Sequence, residues 1–186
     1  MMTQENPMNL KHDHIIKVKP DEVSVNYTRY SAGCTVTGIA FMALVSLGIV
    51  VFIPGSGLSS AFFAYLIGGI GALFFGIALL RIVMTMMQGK TLMKVKDGKL
   101  VNRNQSIEFG KIKSLEYGWH NRKPSGRVFT SVVVDTTDDR TLFFTYYNIV
   151  SDHAIAEFLD TFVVPHITPE GQEKWRVSKG VKGESR

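Results

Sequence analysis

The sequence predicts a membrane protein of mixed class: an α-helical two-span transmembrane hairpin followed by an α+β cytoplasmic domain. That domain is expected to be an antiparallel sheet or partial barrel closed by one C-terminal helix. Three observations carry the prediction. From Ser31 to Leu80 there is no Asp, Glu, Lys, Arg or His. That run is broken by the stretch Pro54-Gly55-Ser56-Gly57-Leu58-Ser59-Ser60. After Met87 the pattern changes to short β-type runs separated by turn residues, and it ends in a segment with helical period.

Chain length leaves room for a small domain plus a membrane segment: 186 residues with a net charge of +5. Residues 1–30 carry mixed charge and are expected to be a cytoplasmic N-terminal segment. About thirty such residues before the apolar run do not read as a signal peptide, which needs a short apolar region behind a basic start. Within this segment His14–Tyr27 alternates well enough to add one or two strands to the C-terminal sheet.

Residues 31–87 form the transmembrane hairpin. A hydrocarbon core of about 30 Å needs roughly 20 helical residues, so the uncharged run is too long for one span and suits two. Pro lacks an N–H and clashes inside a helix, and Gly weakens one. The spans are therefore placed at about 31–53 and 61–84, with Ser59 or Ser60 capping the second. Soluble core helices keep a polar face; neither span has one. The connecting turn carries no cation, whereas Lys19 and Arg29 precede the first span and Arg81, Lys90, Lys94 and Lys96 follow the second. The positive-inside rule places both termini in the cytoplasm and the turn outside. The expected location is the cell membrane, multi-pass.

Ala64, Gly68, Ala72 and Gly76 recur every four residues in the second span. Small side chains let helices approach closely in lipid. A homodimer would use such a stripe, but the short turn favours the first span as partner, through Gly38, Ala43 or Ser46. The spans carry no deep ionisable residue, which argues against an ion or proton path. Cys34 reads as an apolar filler rather than a lipidation site.

Residues 88–167 form the cytoplasmic domain. Asp97-Gly98 between two β-type runs signals a hairpin. Ser106–Phe109 and Lys111–Trp119 follow as strands. Val128–Val134 and Thr141–Tyr147 form a second hairpin around a polar turn, Asp135–Asp139. Ser151 caps a closing helix, 152–164, whose face is Ile155, Phe158, Leu159, Phe162 and Val163. Residues 168–186 are charged and poor in apolar side chains, and read as a flexible tail.

The spans, the pattern "KDGKLVNRNQSIEFGKIKSLEY" (Lys96–Tyr117) and the helix "SDHAIAEFLDTF" (Ser151–Phe162) together resemble bacterial membrane proteins, mostly Gram-positive, with a two-helix hairpin and a pleckstrin-homology-like domain. The resemblance covers most of residues 31–164. It implies a non-catalytic role and supplies no functional residues. Some similar proteins sit beside secreted-toxin loci, which implies an immunity or accessory role as the alternative to a membrane-tethered binding or regulatory module. An enzyme on a lipid-borne substrate is the weakest reading.

The candidate chemistry is sparse. "QGKT" (Gln88–Thr91) lacks the first Gly of a phosphate loop, Met84 standing in its place, and the strand before it. His12 and His14 find no third and fourth ligand, and read as a solvated segment. Asp135, Asp138 and Asp139 lack the spacing of a calcium loop and read as turn residues. His120, His153 and His166 are dispersed. No catalytic residue, metal or cofactor is expected. The expected partners are the lipid bilayer and a protein partner or second copy, with no nucleic acid, because a basic patch beside a span points to an anionic membrane surface. Lys90, Lys94, Lys96 and Lys99 lie close behind a span, where each cation near an anionic leaflet contributes about 1 kcal/mol. Strand alternation puts Lys94 and Lys96 on one face. Arg122, Lys123 and Arg127, on the loop "WHNRKPSGR" (Trp119–Arg127), are the second candidate contact with lipid or partner.

Overall fold

The structure is a computed structural model that describes residues 10–52, 58–102 and 105–184. Elements follow in the order β1 (Ile16–Lys19), β2 (Glu22–Asn26), α1 (Arg29–Phe52), α2 (Leu58–Met87), β3 (Thr91–Lys96), β4 (Lys99–Asn102), β5 (Gln105–Glu108), β6 (Ile112–Gly118), β7 (Ser131–Thr136), β8 (Thr141–Thr145), α3 (Asp152–Phe162) and α4 (Pro169–Glu184). They fall into two units. One is residues 29–89; the other is formed by the segments on either side, up to Thr28 and from Lys90 onward.

In the first unit α1 has 24 residues and α2 has 30, both long and apolar enough to cross a membrane. The expected turn falls mostly on residues 53–57, outside the described residues. Because α2 already starts at Leu58, Ser59 and Ser60 lie inside the helix rather than ahead of its first turn. The two helices pack on each other through small groups. A Cβ added at Gly68 would sit 2.8 Å from the Ser46 carbonyl oxygen and 2.8 Å from Val50 Cγ2. One added at Gly71 would sit 2.7 Å from Ser46 Oγ. That hydroxyl donates back to the Met42 carbonyl at 2.8 Å, so it reaches α2 without an unpaired donor.

Four-residue spacing therefore describes the contact only at its start. Ala64 and Gly68 are buried, Ala72 is half-buried, and Gly76 is exposed with open space around it. A row of i+4 steps drifts about 40° per step around a helix of 3.6 residues per turn. The buried line instead passes through Gly71 to Ala78, Ile82 and Thr85. Cys34 is exposed on α1 and fills no gap within the protein.

The second unit holds antiparallel strands, as expected, arranged in two sheets. One has the order β1-β2-β3-β4-β5 and the other β6-β7-β8. The N-terminal strands join the first: β1 pairs with β2, and β2 pairs with β3 from Glu22↔Lys96 to Asn26↔Thr91. Tyr27 N–H then donates to the Lys90 carbonyl at 3.2 Å, carrying the pairing to the point where the apolar helices begin and end. Asp97 and Gly98 take φ of 51° and 69°, the left-handed values a two-residue hairpin turn requires.

Alternation along each strand sorts the side chains. Ile16, Val25, Met93, Leu100 and Ile107 are buried on the first sheet, and Leu115, Val132, Val134 and Phe144 on the second. Helix α3 adds Ile155, Phe158 and Leu159. Its start is fixed as expected, with the Ser151 hydroxyl accepting from Ala154 N–H at 3.3 Å. Tyr146 is fully buried, and its hydroxyl donates to Asp152 Oδ1 at 2.5 Å. Burial, then that carboxylate, pushes its titration far above the ordinary tyrosine value.

The C-terminal segment corrects the sequence reading. Residues 168–186 were expected to be a flexible tail, yet α4 covers Pro169–Glu184. Thr168 Oγ1 accepts from Gly171 N–H at 3.2 Å and donates to the Ile112 carbonyl at 2.8 Å, which ties the start of α4 to β6. Trp175 is 2% exposed, packs against Tyr117, and donates its indole N–H to Asp160 at 2.7 Å. The Thr-Pro-Glu start, with Pro at the first helical position, is a helix signal in the sequence. One Trp suffices to dock an otherwise polar helix, because an aromatic of that size buries more apolar area than several small residues.

Candidate functional site

Two basic regions were expected to do work, and the structure treats them differently. The first is the face of β1–β4 turned away from the core. Strand pairing builds it in two rows. Lys19, Glu22, Lys96, Lys99 and Glu108 lie directly opposite one another across β1 to β5. Two positions along, Lys17, Ser24, Lys94, Val101 and Ser106 form a parallel row on the same face. Between them, Val18, Val23, Val95, Leu100 and Ile107 point the other way.

This face has five lysines and two glutamates. Glu22 takes Lys94 at 3.0 Å, and Glu108 takes Lys99 at 3.3 Å and Lys111 at 3.7 Å. The Lys94 hydrogen bond and the surrounding lysines hold the Glu22 carboxyl below its ordinary range, so it stays charged. Lys17 gives its ammonium to a backbone carbonyl, that of Asp13. Lys19 and Lys96 have no ion pair among the described residues. The expected pairing of Lys94 and Lys96 on one face is observed, Lys99 at the start of β4 stands on it as well, and β1 adds Lys17 and Lys19. Lys90 lies exposed just before β3.

The second region, Trp119–Arg127, is largely occupied with its own packing. β7 continues through Thr136, so Asp135 sits in a strand and not in the turn expected at Asp135–Asp139. There it faces Ser114 on β6 and Thr141 on β8, whose hydroxyls donate to it at 2.6 and 2.8 Å. Arg122 puts one guanidinium nitrogen on both Asp135 oxygens at 2.6 and 2.8 Å and the other on Glu116 at 2.6 Å. Burial would raise the Asp135 titration, but these hydrogen bonds outweigh it and hold the carboxyl below the usual range. A guanidinium held by two carboxylates is not a free contact for lipid phosphate.

Lys123 is also engaged, its ammonium 4.0 Å from the centre of the Phe143 ring. The same ring stacks on His120 at 5.3 Å. Gly126 lies against the imidazole with no room for a Cβ, and its carbonyl accepts the His120 N–H at 3.1 Å. Both His120 ring nitrogens are buried without a hydrogen-bond partner among the described residues. Burial, then nearby Lys123, pushes the imidazole titration down. Of the candidate cations here, Arg127 is exposed and makes no ion pair among the described residues; Trp119 is exposed as well.

Elsewhere the charged groups balance locally. A cleft of about 240 Å³ is lined by Lys113, Ser114, Asp135, Asp139, Arg140 and Lys174 among others. Lys113 meets Asp139, Arg140 meets Asp138, and Lys174 meets Glu170. His12 is not solvated as expected: it bonds Glu157 on α3 at 2.5 Å, and the same carboxylate accepts the Lys11 and His12 backbone N–H groups. Burial raises the Glu157 titration less than these bonds lower it. His166 stacks on Phe109.

With the strand order and the helical pair in place, comparison with known proteins adds the family. A family model described as a family of unknown function, DUF5381, matches residues 21–184. The chain belongs to the DUF5381 family. That match takes in every element from β2 to α4 but not β1, so the family unit includes the helical pair and the C-terminal helix. Two relatives come from Bacillus subtilis (strain 168). "Uncharacterized protein YfjE" is 24% identical over 116 residues, which is 60% of this chain and 76% of that protein. "Uncharacterized lipoprotein YfjD" is 25% identical over 91 residues, 47% of this chain and 49% of that protein. The chain thus spans about half the length of the second relative. No solved structure matches.

Proposed function

We propose that this chain is a membrane-tethered, non-catalytic binding module, with two spans, both termini in the cytoplasm, and a pleckstrin-homology-like platform that presents its outer sheet face. The observation that carries the reading is the polarity of the helical unit. Phe41, Leu44, Ile67 and Leu73 stand outward on α1 and α2, while the Ser46 side chain and Gly68 are buried between them. Helices of this length with apolar exteriors match a bilayer. The cations on both flanks, against an uncharged turn, support the orientation. A relative whose name describes a lipoprotein supports a membrane location. Antiparallel strands followed by α3 support the platform reading, and the largely self-paired charges outside the lysine face support binding over catalysis.

Two measurements test this. After alkaline carbonate treatment the full chain should stay in the membrane pellet; release into the supernatant would remove the spans. In a Cys34→Ser background, Ser56→Cys should react with an impermeant maleimide in intact cells, and Asn121→Cys only after permeabilisation. The reverse pattern would overturn the orientation.

A further inference from the structure

We infer that the lysine face of β1–β4 binds the anionic phospholipid headgroups of the leaflet in which the chain is anchored, an inference that rests on the membrane-tethered reading above. The partner follows from the chemistry of the face and from where the chain leaves it. Its cations are lysines on extended strands: Lys17, Lys19, Lys94, Lys96 and Lys99, set in two rows by the register. Glu22 and Glu108 oppose them, and both are occupied by lysine ammonium groups.

A protein-binding face would look different. Protein interfaces are depleted in Lys and centre on buried Trp, Tyr or Arg anchors. The two rows hold none of these; besides lysine and glutamate they carry Val101 and Ser106, with Ser24 buried. Flexible, hydrated ammonium groups suit a diffuse negative surface, where each adds a similar increment and no fixed geometry is required. Single-stranded nucleic acid is a poorer match, since this face offers no aromatic platform for bases.

The strands that carry the face are those joined to the apolar helices. Tyr27 and Thr28 separate β2 from α1, and Gln88, Gly89 and Lys90 separate α2 from β3. Connections this short tether the strands to the apolar helices through two and three residues. The local concentration of headgroups is therefore high, and weak individual contacts are enough. The loop Trp119–Arg127 plays a smaller part, because Arg122 and Lys123 are spent on Asp135, Glu116 and Phe143.

The test uses the full chain with Cys34→Ser and Ser106→Cys, the latter carrying a solvent-sensitive dye on the lysine face. It is reconstituted in nanodiscs of phosphatidylcholine alone or with phosphatidylglycerol. Phosphatidylglycerol should reduce iodide quenching of the dye several-fold. High salt should abolish the effect, since the screening length falls to about 3 Å at 1 M. Lys17→Gln/Lys19→Gln/Lys96→Gln, which removes the lysines that make no ion pair among the described residues, should abolish it too, with the circular dichroism spectrum unchanged. Arg127→Gln should leave it in place. Equal quenching in both discs, or protection that survives the triple substitution, would overturn the inference. So would a protein that co-purifies with the parent chain and is lost from the variant while lipid composition has no effect. Carbonate extraction reads the spans separately, so a chain that stays inserted but shows no lipid dependence overturns this inference and leaves the tether standing.

Discussion

The two units of this chain bury opposite kinds of residue. In the sheet unit the interior is Phe144, Tyr146, Phe158 and Leu100, and lysines stand outside. In the helical unit the interior is mostly small or polar, Ser46, Ala64, Gly68, Ala78 and Thr85 with Ile82 as the large exception, and Phe41, Phe62, Ile70 and Leu73 stand outside. Each arrangement is sensible only in its own solvent. Water rewards removal of aromatic surface, whereas lipid offers an apolar side chain as much as a neighbouring helix does, leaving close contact between small groups to hold the pair.

The largest expected effect comes from truncating the aromatic interior. Phe158→Ala should cost the sheet unit about 3–5 kcal/mol, read as a lower unfolding midpoint in detergent. Phe62→Ala, on a side chain 63% exposed, should cost little; equal losses would break the contrast. Next, Gly68→Leu should destabilise the helical pair by about 1–3 kcal/mol through overpacking against Ser46 and Val50, measured as a lower melting temperature. Gly76→Leu, facing open space, should not.

Two polar features inside the sheet unit sharpen the comparison further. Arg122→Ala should cost about 1 kcal/mol, the ordinary scale for a partly exposed ion pair. It should also move acid unfolding to higher pH. The folded-state titration of Asp135 is depressed, so its contribution is complete above the unfolded carboxyl value and is lost as pH falls through the folded one; without Arg122 that loss begins earlier. The smallest change is expected at His120. Its titration is also depressed, so the unfolded chain takes the proton first as pH drops below about 6.5. Stability should fall from there down through the folded value. His120→Phe should flatten that slope while keeping the stack on Phe143, and a slope that persists would assign it to another group.

Much of this layout was legible in the sequence. The uncharged run, the Asp97-Gly98 turn, the Ser151 cap and the α3 face are local signals, and local signals survive folding. What the sequence hid were relations between distant residues. Nothing near Lys94 says that Lys17 and Lys19 will stand beside it; that depends on β2 pairing with β3 across the whole helical segment. Nothing near Arg122 says that Asp135 will leave the turn and join a strand to meet it. The four-residue stripe misled at Gly76, because sequence spacing ignores the drift of a helix. The α4 helix was missed for a different reason. Its average composition is polar, and a single Trp175 together with a Thr168-Pro169 start outweighed the average.

The pairing of Tyr27 with Lys90 also bears on how the chain is made. During synthesis β1 and β2 emerge first, but the strand that covers the open edge of β2 comes only after both apolar helices. At about 5–20 residues per second that interval is on the order of 3–12 s. For those seconds the hairpin exposes Val23 and Val25 with no neighbour on that side, an edge open to mispairing with other nascent chains. The same adjacency offers a remedy for the bench. Because the two backbones already hydrogen-bond there, a short Asn-Gly turn joining Thr28 to Lys90 should close the sheet without the helices. The result would be a water-soluble domain that keeps the lysine face intact.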